Sequence, residues 1–156
     1  MDALEDLARL LQDRKRCVAD PGAWPAIRDE WVADLERLMT RLDEWLEPLR
    51  QAGLLDINKQ NVRISESPDI PDSDYVAPAR LLLSPDHVRV EILPRARGVF
   101  GASGRVDILG RNRLAMLGRF APGEWHFVWQ EPAGAEWQSR PLTPESLAAT
   151  LKEMLA

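Results

Sequence analysis

One apolar seam limits how this chain folds more than any other part of it. Trp24, Ile27, Trp31, Leu35, Leu38, Leu42, Trp45 and Leu49 recur at intervals of 3, 4, 4, 3, 4, 3 and 4. That rhythm places all eight on one stripe of an α-helix of about 26 residues. In heptad terms Leu35, Leu42 and Leu49 take position a, and Trp24, Trp31, Leu38 and Trp45 take position d. A helix with so continuous a stripe must bury it against something. Tryptophan at d is bulky for a tight coiled coil, so the seam is expected to pack inside the molecule, on a sheet and on a first helix together. A homodimer or partner groove along Trp24–Leu49 is the alternative. Pro25 suits the first helical turn, Pro48 lies near the end, and Gly53 is placed as a C-terminal cap.

Before the seam, Leu4, Leu7 and Leu11, with Ala8 and Leu10 beside them, predict an amphipathic helix to about Cys17 or Val18. Asp2, Glu5 and Asp6 fall where the helix dipole favours acids, and Arg14, Lys15 and Arg16 where it favours bases. Asp20-Pro21-Gly22 breaks it. Two helices joined by so short a turn predict an antiparallel helical hairpin.

After Leu55 the period changes from helical to two. Apolar residues alternate at Val62 and Ile64, at Val88, Val90 and Ile92, at Val106 and Ile108, at Leu114 and Met116, and at Trp125, Phe127 and Trp129. Tyr75–Leu83 reads as a strand whose Pro78 requires an edge or a bulge, and a short strand follows near Trp137. Turn signals separate these runs, with Pro122-Gly123 suited to a type II turn. With no helix between them, the strands predict an antiparallel meander. Thr143-Pro144-Glu145 opens a last helix whose apolar face is Leu147, Leu151, Met154 and Leu155. The expected fold is α+β in a single domain, residues 1–156. It has a helical arm over 1–55, an antiparallel sheet of about five to seven strands over 56–141, and a C-terminal helix over 142–156.

The 156 residues carry a net charge of -5, unevenly spread. Residues 1–74 hold 10 basic and 17 acidic groups, residues 75–120 hold 8 arginines against 3 acids, and residues 121–156 hold 2 basic and 5 acidic groups. Arginine forks onto carboxylates and phosphates. The middle segment therefore either neutralises the acids of the helices, or stays solvated, or forms an anion-binding face. Arg105 and Asp107 share one face of a strand, and Arg97, Arg111, Arg113 and Arg119 are the further candidates for that face, for an anion or for a partner.

Three glycines in seven residues, Gly98, Gly101 and Gly104, mark a bent backbone or one closely approached by another group. GVFGASGR lacks the Lys-Ser/Thr of a phosphate loop and leads into a strand, so no helix N-terminus awaits a phosphate. Asp69, Asp72 and Asp74 match no calcium loop. His87 and His126 show no metal-ligand spacing, and Cys17 reads as a small core residue. Trp125, Trp129 and Trp137 read as core or as base-stacking platforms. No catalytic constellation, cofactor or metal site is predicted.

Residues Ile92 to Gly110, ILPRARGVFGASGRVDILG, resemble a run in uncharacterised bacterial proteins. There a strand ending in proline precedes a G-x-x-G-R-[VI]-D segment. The resemblance extends loosely over Tyr75–Leu117, does not reach the helical arm, and implies no activity or site.

The N-terminus has acids where a secretion signal needs basic residues, and no window approaches the roughly 20 apolar residues of a membrane helix. The expectation is a cytoplasmic protein without membrane contact, and the residue usage suggests a GC-rich bacterial genome. The expected function is a non-catalytic interaction protein of the accessory, adaptor or immunity type that binds a protein partner. Nucleic-acid or nucleotide binding through the arginines is the alternative, and an unrecognised enzyme the second.

Overall fold

The computed structural model describes residues 2–19, 23–66, 74–95 and 104–156, without the side chains of 13–19 and 23. Two N-terminal helices, α1 (Ala3–Ala19) and α2 (Ala23–Gln51), precede seven strands. These are β1 (Asp56–Ser65), β2 (Asp74–Leu83), β3 (Arg89–Pro94), β4 (Arg105–Leu109), β5 (Leu114–Ala121), β6 (Glu124–Trp129) and β7 (Gln138–Pro141). Helix α3 (Pro144–Leu155) closes the chain. The strands form one antiparallel sheet in the order β1-β2-β3-β4-β5-β6-β7, the expected meander at its upper strand count.

The seam of α2 fills the core. Trp31, Leu35, Leu38, Met39 and Leu42 are at most 1% exposed. Their covering surface is the inner face of the sheet, including Val90, Ile92, Val106, Ile108, Leu117, Trp125 and Phe127, together with Leu147, Leu151 and Met154 of α3. The seam is therefore consumed within the molecule. Only Leu49, at its end, remains well exposed, so no long stripe is left for a second copy along Trp24–Leu49.

Trp31 sits where the sheet closes on the helix. Its indole N–H donates to the Tyr75 hydroxyl on β2 at 2.9 Å, and its ring lies 5.9 Å from that of Trp125 on β6. In a flat sheet β2 and β6 would be about 19 Å apart, with side chains standing off the surface. The sheet must therefore curl around α2. Gly104, at the entry to β4, makes this possible: a Cβ there would lie 2.2 Å from the Trp31 ring. Of the two meanings of the glycine-rich stretch, close approach applies at Gly104. Gly98 and Gly101 lie outside the described residues.

Local signals act as their chemistry dictates. Gly53, at φ +71°, ends α2 with Leu54 N–H donating to the Leu49 carbonyl at 2.9 Å and Gly53 N–H to that of Arg50 at 3.0 Å. This is the paired closure of a left-handed C-cap. Thr143 and Ser146 cap α3 reciprocally, each side-chain oxygen accepting from the other's amide at 3.0 and 2.8 Å. Pro78 pairs with Asn61 of β1, beyond the end of the β2–β3 ladder at Arg80↔Ile92. Its missing N–H thus falls where β3 does not pair.

Helix α1 differs from expectation in its packing. None of its described side chains joins the core, and Leu4, Leu7 and Leu11 are 70%, 49% and 54% exposed. Instead its first half stands over the outer face of β4–β7.

Candidate functional site

Strand register decides which charged residues meet. Arg105 pairs with Gly118, and Asp107 with Met116. The outer face therefore carries Arg105, Asp107, Met116 and Gly118, while Leu117 and Arg119 turn inward. The apolar alternation Leu114-Met116 thus faces outward, and β5 gives Leu117 to the core.

The six candidates do not assemble on one face. Arg119 lies under α2, with its side chain 3% exposed. It donates to Glu30 at 3.0 and 3.1 Å and to Asp34 at 2.9 Å, and its guanidinium stacks 5.0 Å from the Trp31 ring centre. Asp34 also accepts the Gly123 amide at 3.1 Å. The inward register makes Arg119 a clamp between sheet and helix, not part of an anion-binding surface. Arg113 reaches Glu153 of α3 at 3.6 Å. Arg111 is exposed in the β4–β5 turn and lies near Asp86. That carboxyl is held below its ordinary range chiefly by the Ser84 hydroxyl, then by its own backbone amide, with smaller help from Arg111 and His87. Arg97 lies outside the described residues.

Arg105 and Asp107 do form the expected same-face pair. The Asp107 carboxylate accepts from Arg105 Nε at 2.6 Å and from Arg95 Nε at 3.0 Å. Arg95 was not among the candidates. Its signal is its place just past Pro94, where its amide bonds the Arg105 carbonyl at 2.8 Å. A second inward ion pair, Arg80 with Asp43 of α2 at 3.0 Å, likewise spends an arginine internally.

Beside this pair, α1 and the outer face enclose a groove of about 830 Å³, within the range of ligand sites. Ala3, Asp6, Leu7 and Leu10, one face of α1, form its first wall. Met116, Phe120 and Val128 form its floor, and Trp137 and Gln138 its far side, next to the sheet's edge strand β7. Phe120 and Trp137 remain 39% and 37% exposed. Asp6 Oδ1 is shut off from solvent and has no hydrogen-bond partner among the described residues.

The remaining candidates resolve simply. His126 is on the outer face, with Nε2 3.3 Å from Glu124 and its ring edge-on to Phe120 at 4.7 Å. His87 occupies a turn at φ +65°, a region His tolerates. Trp125 is core, Trp129 carries Arg140 at 5.9 Å, and Trp137 borders the groove. Asp74 accepts from Ser65. Asp69, Asp72 and the Cys17 side chain lie outside the described residues. No described helix is long and apolar enough to cross a membrane.

No protein family, curated protein or solved structure matches this chain.

Proposed function

We propose that this is an interaction protein that holds a segment of a partner protein in the groove between α1 and the outer sheet face, without chemistry of its own. The observation that carries this reading is the groove itself. Its wall and floor, Leu7, Leu10, Met116, Phe120 and Val128, are apolar side chains facing a space of about 830 Å³. Apolar surface left facing water costs free energy that a docked chain recovers. Leu4 and Leu11 are further exposed apolar side chains of α1.

Binding of nucleic acid through the arginines has less support, because Arg105, Arg113 and Arg119 each meet an acid of the same chain.

A displayed peptide library tests the reading. Peptides enriched on the wild-type protein should lose binding to Leu7→Glu and to Phe120→Ser, one substitution on the α1 wall and one on the floor. Absence of enrichment, or enriched peptides indifferent to both substitutions, would remove it.

A further inference from the structure

We infer that the groove takes a cationic segment: a stretch of partner chain that lays apolar side chains against Leu7 and Phe120 and brings a lysine or arginine to Asp6. This rests on the groove being the binding site and adds the chemistry of its occupant.

Charge complementarity is the first argument. The groove's lining includes three acids, Asp2, Asp6 and Glu136, and one base, Arg105. Arg105 is already held by Asp107, whose side chain is 5% exposed. The charge a docking chain meets is therefore negative, and two of the three acids come from the acid-rich N-terminal half.

The second argument is Asp6. Asp2 is accounted for within α1, since its carboxylate caps the Leu4 amide at 3.0 Å and its position suits the helix dipole. Asp6 shares that dipole position but caps no amide among the described residues. Its Oδ1 is sealed from water and accepts nothing among the described residues. A shielded carboxylate oxygen without a donor is costly. The residue as a whole is partly exposed to the groove, so an ammonium or guanidinium docked there supplies the charge opposite to its carboxylate.

Shape favours a chain over a compact molecule. The wall from Ala3 to Leu10 runs for about 10 Å of helix, and the groove reaches the sheet's edge strand. The lining sets Asp2 and Asp6 on the α1 side and Glu136 beside Trp137, together with the apolar side chains of the sheet. That pattern suits a segment whose basic and apolar residues lie side by side.

Three labelled peptides test this on the full-length protein by fluorescence anisotropy. They share leucine and phenylalanine positions and carry lysine, glutamine or glutamate at the others. The lysine peptide should bind about tenfold tighter than the glutamine peptide, the worth of one charged hydrogen bond, and the glutamate peptide weakest. High salt should shrink the lysine advantage. Asp6→Asn, which keeps size and shape, should abolish most of it with the helix content unchanged. Phe120→Ser should weaken all three peptides alike. Equal binding of the three, or a lysine advantage that survives Asp6→Asn, overturns the cationic occupant but leaves the groove reading standing. Failure of every peptide to bind overturns both. Sedimentation showing that a second copy fills the groove and excludes the lysine peptide overturns the proposed occupant as well.

Discussion

The two faces of the sheet treat apolar surface in opposite ways, although each pairs buried ions. On the inner face each buried ion has its counter-ion: Arg119 meets Glu30 and Asp34, and Arg80 meets Asp43. The buried apolar side chains there share one core cluster with α2 and α3. On the outer face Asp107 is held by Arg95 and Arg105, one Asp6 oxygen is shielded with no hydrogen-bond partner among the described residues, and Phe120 and Trp137 remain partly exposed. The inner face is finished by the chain's own helices. The outer face holds apolar walls that no described residue fills. Stability thus belongs to one side of the sheet and the proposed binding to the other, and substitutions can separate them.

The largest effects belong inside. Arg119→Leu takes from Asp34, with its side chain 1% exposed, its one buried counter-ion and leaves it only the exposed guanidinium of Arg37 at 3.3 Å. Loss of about 3–5 kcal/mol in denaturant unfolding is expected. Trp31→Ala should cost a similar amount, about 3–5 kcal/mol, since it empties the centre of the curl. A loss under 1 kcal/mol for either would break the contrast, because the inner face would not be tightly closed. Gly104→Ala comes next. A Cβ 2.2 Å from a rigid indole forces ring or strand to move, at about 1–3 kcal/mol. The near-ultraviolet circular dichroism of the tryptophans should change with it.

What could be read in advance follows the same division. The seam of α2 was legible because period alone determines a helix face, and Thr143, Gly53 and the alternating strands act locally. Arg119 was not. Its role depends on Arg105 pairing with Gly118 and not one residue further along, and a shift by one exchanges the two faces. Nothing in the residues of β4 and β5 announces that register. The partners of Arg119 on α2 also lie more than eighty positions away. The groove was hidden for a related reason. Asp6 has an adequate local explanation as an acid in a first helical turn, and only the folded chain shows it beside Phe120 and Trp137. Leu114 and Met116 have the alternation of core residues, and they face outward.

At the edge between the faces, the α3 cap offers a modest test. Thr143→Ala removes one half of the reciprocal pair and should cost about 1 kcal/mol, read as a shift in the urea midpoint at constant slope. Because α3 covers the inner face, the substitution should leave peptide binding at the groove unchanged. A loss of binding would mean that the two faces are coupled through the sheet.

The smallest expected effect gives the sharpest contrast. Leu4→Ser with Leu11→Ser removes two large apolar side chains, yet stability should change by no more than about 0.5 kcal/mol, as at other uncoupled surface sites. Leu35→Ala, a milder change in polarity, should cost about 2–5 kcal/mol because its side chain is wholly enclosed. If the α1 pair proved as costly as Leu35, α1 would be part of the folded core and the groove wall could not be free to receive a partner. If the pair is silent in unfolding but weakens peptide binding, the leucines of α1 are a surface kept apolar for contact, because the fold itself has no use for them there.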